Sequence, residues 1–80
     1  MNFELNDKVV ITEEAKENYG DVFQEGDYLV ITDIATSTDD HQGYDNSMEG
    51  MPLFSFDLYI KGKRFSEFGN SLYEYEIEHI

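Results

Sequence analysis

The side chains that would carry chemistry in this sequence are carboxylates. Near the C-terminal end Glu74, Glu76 and Glu78 alternate with Tyr73, Tyr75 and Ile77. On a β-strand such residues stand about 6.5–7 Å apart on one face. A regular ladder of negative charge offers a basic protein an imitation of a phosphate backbone. Glu13, Glu14, Glu17, Asp21 and Glu25 would widen that acidic surface. A second gathering of oxygen donors runs through Asp39, Asp40, Asp45 and Glu49. Calcium asks for about six to eight oxygens from a loop with carboxylates at alternate positions, glycine at the sixth and glutamate at the twelfth. Here His41 occupies the second alternate position. The spacing therefore fails, the stretch is read as a solvated acidic loop, and no metal is expected.

Catalytic motifs are missing. The chain has no cysteine, no Gly-x-Ser-x-Gly elbow, no glycine-rich phosphate loop and no His-Glu-x-x-His pair, so neither an enzyme nor a cofactor is expected. His41 and His79 are too far apart in sequence to form a local ligand pair, and His79 is read as finishing the last strand. Lys61, Lys63 and Arg64 hold three of the five positive charges. They read as a hairpin tip whose cations offset nearby carboxylates.

The elements that position these groups must come from a short chain. Its 80 residues make a single domain, 1–80, with 18 Asp and Glu against 5 Lys and Arg and a net charge of −13. That charge repels phosphate backbones and anionic membranes, so no direct nucleic acid and no membrane are expected; a basic protein surface is the expected partner. With 40% apolar and 15% aromatic residues, the chain carries more than a disordered acidic segment does. The absence of cysteine suits a reducing cytoplasm, and Met1–Asp7 lacks the basic and apolar regions of a signal peptide.

Strand composition appears at Lys8–Thr12, at Tyr28–Ile34 behind the turn Glu25-Gly26-Asp27, and at Leu53–Ile60. Phe54, Phe56 and Leu58 alternate with Ser55, Asp57 and Tyr59, predicting one buried face. Lys61–Lys63 reads as a turn, Arg64-Phe65 as the start of a short return strand, and Tyr73–Glu78 as a final strand with its tyrosines inward and its glutamates outward. Between Thr12 and Gly20 there is room for a turn or two of helix, capped by Thr12. Residues 35–50 form a long acidic loop anchored only by Tyr44 and Met48. The expected fold is all-β: a small five-stranded barrel with that loop and at most one or two short helical turns. Its core candidates are Val10, Leu29, Ile31, Phe54, Phe56, Leu58, Tyr75 and Ile77.

The stretch Phe23-Gln24-Glu25-Gly26-Asp27-Tyr28-Leu29-Val30-Ile31 resembles the diverging turn and second strand of SH3-like barrels. Asp7-Lys8-Val9-Val10-Ile11 is similar to the first strand of SH3-like and KOW-type barrels, and Asn70-Ser71-Leu72-Tyr73 resembles the one-turn helix before their last strand. The order of pieces resembles that of small barrel proteins encoded by bacteriophages and bacteria. The resemblance implies the barrel but not the peptide groove. There is no tryptophan, and the single proline, Pro52, precedes the third strand. Tyr19 and Tyr73, near the positions of groove tyrosines, read as barrel packing. The acidic balance is also the reverse of the basic KOW-type barrels. The expected function is therefore that of a non-enzymatic acidic interaction module of the cytoplasm. Three ways of contact are open: an acidic face on a basic protein, with Glu74, Glu76 and Glu78 as contacts; a nucleic-acid mimic built on the same glutamates; and an assembly surface of exposed aromatics, Tyr44, Tyr59 and Phe68.

Overall fold

The computed structural model describes residues 3–19, 26–48 and 50–80. Phe23–Glu25, the opening of the stretch that resembles a diverging turn and of the expected turn Glu25-Gly26-Asp27, lie outside these residues, as do Gly20, Asp21, Glu49 and the side chain of Tyr19. Five strands form one antiparallel sheet: β1 Lys8–Ile11, β2 Tyr28–Ala35, β3 Leu53–Ile60, β4 Lys63–Tyr73 and β5 Ile77–His79, in the order β4-β3-β2-β1-β5. A seven-residue helix, α1 Glu13–Tyr19, follows β1, and 3-10 turns occupy Asn46–Met48 and Glu74–Glu76. Among the described residues no helix is long and apolar enough to cross a membrane.

The core is built from one face of every strand. Val9 and Ile11 of β1, Leu29 and Ile31 of β2, Phe54, Phe56 and Leu58 of β3, Phe68 and Leu72 of β4 and Ile77 of β5 pack into one cluster with Phe3 and Ala15. A seven-residue helix cannot cover a five-stranded face, so side chains this well buried require the sheet to curl over its own apolar side. Phe56 lies opposite Ile31 on one side and Phe68 on the other, its ring edge-on to Phe68 at 6.2 Å. Phe3 closes one end, edge-on to Phe54 at 5.5 Å and against the His79 ring at 4.3 Å.

Two core expectations are corrected. Val10 is only half-buried, because β1 buries Val9 and Ile11 instead. The register decides this: Val9 lies opposite Leu29 of β2, and Ile11 opposite Ile77 of β5. Tyr75 is 61% exposed, because the predicted final strand 73–78 is three pieces. Tyr73 ends β4 opposite Leu53, Glu74–Glu76 turn the corner, and only Ile77–His79 runs beside β1. The one-turn helix expected at Asn70–Tyr73 is accordingly displaced to Glu74–Glu76, and residues 70–73 are strand.

The β3–β4 hairpin turns on Lys61 (φ 53°) and Gly62 (φ 80°). Two successive positive φ values define the tight turn whose twist suits a two-residue hairpin. β4 then runs for 11 residues, well beyond the short return expected. It does so with register steps, one of which makes Phe65 an extra residue between the pairs Leu58–Ser66 and Tyr59–Arg64. This explains why Phe65 points to solvent at 68% exposure. Such steps, with Lys63, Arg64 and Glu67 alongside, blunt an edge strand against pairing with another chain.

Thr12 caps the start of α1. The Ala15 N–H donates to the Thr12 hydroxyl at 3.3 Å, the expected N-cap contact. Thr12→Ala should cost about 1 kcal/mol, read as a lower urea midpoint at unchanged slope; an unchanged midpoint would show that the cap contributes nothing.

Candidate interaction site

The structure separates the residues that the sequence grouped. Glu74 and Glu76 are half-buried in the 3-10 turn, while Glu78 is exposed on β5 opposite Val10. They do not form a strand ladder, so the even spacing on which the phosphate imitation rested is absent. Of the three expected contact aromatics, Tyr44 (5% exposed) and Phe68 (8%) are buried. Tyr59 is half-buried on the outer face, its ring stacked on Tyr28 at 5.1 Å, with the Lys8 ammonium 5.2 Å from the Tyr28 ring.

Tyr44 is the anchor of the long loop. Its hydroxyl lies 2.6 Å from the carbonyl oxygens of both Met48 and Met51, and its ring packs with Ala35 and Leu53 in a second small core. The Tyr73 ring meets it edge-on at 5.8 Å, and the Tyr73 hydroxyl accepts the Asp45 N–H at 2.8 Å. Two of the loop carboxylates, Asp40 and Asp45, are turned onto the loop itself. Asp40 accepts from the N–H and hydroxyl of Thr36, and Asp45 from the N–H and hydroxyl of Ser47. Among the described residues no group of three or more His, Asp or Glu is placed to hold a metal ion.

Two acidic side chains, Glu14 and Glu76, meet elsewhere, where α1 comes against the corner before β5. The Thr12 N–H donates to the Glu76 carbonyl at 3.0 Å, and the Glu76 carboxylate accepts the Tyr73 N–H at 3.0 Å. Thr12, Glu14, Ala15, Tyr75 and Glu76 line a cleft of about 150 Å³, a volume that elsewhere accommodates a benzene-sized group. One wall is the Tyr75 ring, parallel to that of Tyr73 at 6.4 Å. Glu13, Glu17, Glu74 and Glu78 belong to the same two segments. The cation on α1, Lys16, lies 3.8 Å from Glu13. Three others, Lys61, Lys63 and Arg64, sit at the β3–β4 hairpin, where Asp57 holds Arg64 through contacts of 3.1 and 3.3 Å. A cleft with carboxylates and an exposed tyrosine face suits a cationic side chain, by charge-assisted hydrogen bonds and by approach over the ring. Tyr75 had a signal in the sequence, since tyrosine is at home half-wet, but the alternation around it suggested an inward residue.

One pair has the outline of a nucleophile and its base: His41 Nε2 lies 3.2 Å from the Ser71 hydroxyl. The Gly43 N–H donates to Nδ1 at 2.9 Å, which leaves the proton of the neutral ring on Nε2. His41 then gives a hydrogen bond toward Ser71 and has no lone pair there to take the serine proton.

A further ionic contact ties the two chain ends. The Glu4 N–H donates to the Asp7 carboxylate at 2.9 Å, and His79 Nε2 lies 3.3 Å from it. These contacts, the Glu4 N–H foremost, hold the Asp7 carboxyl below its ordinary 3.8. Asp45 is lowered likewise, by the Ser47 N–H and hydroxyl. A carboxyl lowered in the folded state adds stability above about pH 4, and that contribution is lost as pH falls through the folded value. The double variant Asp7→Asn, Asp45→Asn should therefore lose less melting temperature than wild type between pH 5 and pH 2, where relief of repulsion acts on both proteins. Parallel curves would refute this.

Comparison with protein-family models, with curated proteins and with solved structures gave no match.

Proposed function

We propose that this chain is a non-enzymatic, acidic SH3-like barrel module of the cytoplasm, an accessory protein of the phage or bacterial kind, that docks its acidic end on a basic protein surface. The observation that carries the reading is the meeting of Glu14, Glu76 and the exposed Tyr75 on one cleft, with further glutamates on α1 and the adjoining β5. The strand order β4-β3-β2-β1-β5 and the single turn before β5 support the barrel part. The aromatic assembly reading has lost two of its three contacts to the interior, and the nucleic-acid mimic has lost its ladder, so docking by charge is preferred to both.

The test is capture of host proteins from lysate at low and at moderate salt, with wild type and with Glu74→Gln, Glu76→Gln, Glu78→Gln. Partners bound through the acidic end should be released by salt and by the triple change. Recovery indifferent to both would sink the proposal.

A further inference from the structure

We infer that His41 is a proton-operated latch that holds the loop 36–52 against the β3–β4 hairpin. The inference is independent of which partner the acidic end takes. Three contacts define it. The Gly43 N–H donates to Nδ1 at 2.9 Å, Nε2 faces the Ser71 hydroxyl on β4 at 3.2 Å, and that hydroxyl lies 3.4 Å from the Ser55 hydroxyl on β3. The ring thus bridges the loop to two adjacent strands. Gly43 is part of the device, because a Cβ there would stand 3.0 Å from Cε1 and 3.2 Å from Nδ1 of His41. A side chain there would push the ring away by a few tenths of an ångström.

The latch has a fixed proton arrangement. With Nδ1 accepting from Gly43, a neutral ring carries its proton on Nε2 and directs it to Ser71, whose own hydroxyl proton is then available to Ser55. A second proton has one place to go, Nδ1, where it meets the Gly43 N–H donor to donor. The charged ring therefore cannot keep the Gly43 contact, and protonation opens it. The charged and titratable groups around the ring come mainly from the loop. Asp39 is exposed; Asp40 is turned to Thr36 and Asp45 to Ser47, and Tyr44 is buried. From β3 comes Ser55, with Asp57 two places on held by Arg64; from β4 come Ser71 and Tyr73. Release of the turn loosens the cover over Ala35, Tyr44 and Leu53, the small second core beneath the loop.

Nuclear magnetic resonance on the ¹⁵N-labelled full chain tests this. At pH 8 the long-range nitrogen–proton spectrum should show the His41 proton on Nε2; a proton on Nδ1 would overturn the inference outright. On lowering the pH to 5, amide exchange at Gly43, corrected for its intrinsic pH dependence, should accelerate roughly three- to tenfold, the loss of about one hydrogen bond. It should do so in step with the His41 ring titration, while Val9 and Leu29 in the sheet stay protected. Gly43 exchange that ignores the ring titration would also overturn the inference. His41→Phe should remove the step at Gly43 but leave the titration of His79 intact. Ser71→Ala keeps the Gly43 contact and should retain the step, so a loop disordered by either change is distinguished from a latch that never existed.

Discussion

Phe56→Ala is expected to leave the protein unfolded or barely folded at room temperature. Phe56 has no exposed surface, lies at the centre of β3 between Ile31 and Phe68, and shares ring contacts with Phe54 at 6.5 Å and Phe68 at 6.2 Å. Truncating a buried phenylalanine costs about 3–5 kcal/mol, the transfer free energy plus the cavity left behind. A chain of 80 residues has about 4–12 kcal/mol in total at the usual 0.05–0.15 kcal/mol per residue. Among the described residues no second layer can collapse into the gap, because the same curled sheet supplies most of the core. Urea unfolding followed by near-ultraviolet circular dichroism should show the cooperative transition lost or moved to a small fraction of its wild-type midpoint. Phe56→Leu, which refills most of the space, should retain a transition. A Phe56→Ala midpoint within a few tenths molar of wild type would mean that this core is not what holds the molecule together.

That core was only partly legible from the residues. Leu53–Ile60 declared itself because Phe54, Phe56 and Leu58 alternate with polar neighbours, and β3 has those bounds in the structure. Lys8–Thr12 gave its type but not its phase: Val9, Val10 and Ile11 are all β-branched, and only pairing with Leu29 and Ile77 selects which of them face inward. The tail misled for the opposite reason. Tyr73–Glu78 alternates perfectly, yet the chain must leave β4 at Tyr73 and reach the far edge of the sheet at Ile77, and the corner consumes Glu74–Glu76. A periodicity of two cannot show where a strand must stop to change neighbours. Tyr44 was legible as an anchor of its loop, but its partners were not: the Tyr73 ring far along the chain and the carbonyls of Met48 and Met51. The acidic cleft shares that character. Its glutamates were visible as charge, but only the Thr12–Glu76 hydrogen bond brings α1 against the corner.

The second large effect concerns that cleft, and it separates a site from mere net charge. Glu14→Gln and Glu76→Gln, which line the cleft, with Glu78→Gln on the adjoining β5, change the formal charge from −13 to −13 + 3 = −10. So do Glu4→Gln, Asp39→Asn and Glu67→Gln, which lie outside the cleft. The Glu76→Gln change keeps a side-chain carbonyl oxygen for the Tyr73 N–H, so the corner should survive, and both proteins should melt close to wild type. If charge acted only through its total, the two triples would weaken association with a fluorescent arginine-rich peptide equally. If the cleft is the docking point, the first triple should slow association by about tenfold or more at low ionic strength, where steering is strongest, and the second by much less. Adding Tyr75→Ala to the first should speed dissociation a further few-fold, because a cation over an exposed ring gains about 0.5–1 kcal/mol. Raising ionic strength from about 10 mM to about 150 mM shortens the Debye length from about 30 to about 8 Å, and should close most of the gap in association rate between the proteins but not the dissociation difference made by Tyr75. Equal effects from the two triples, with no response to Tyr75→Ala, would assign the charge to solubility alone, because a surface that only repels its own copies has no reason to place a tyrosine ring between its carboxylates.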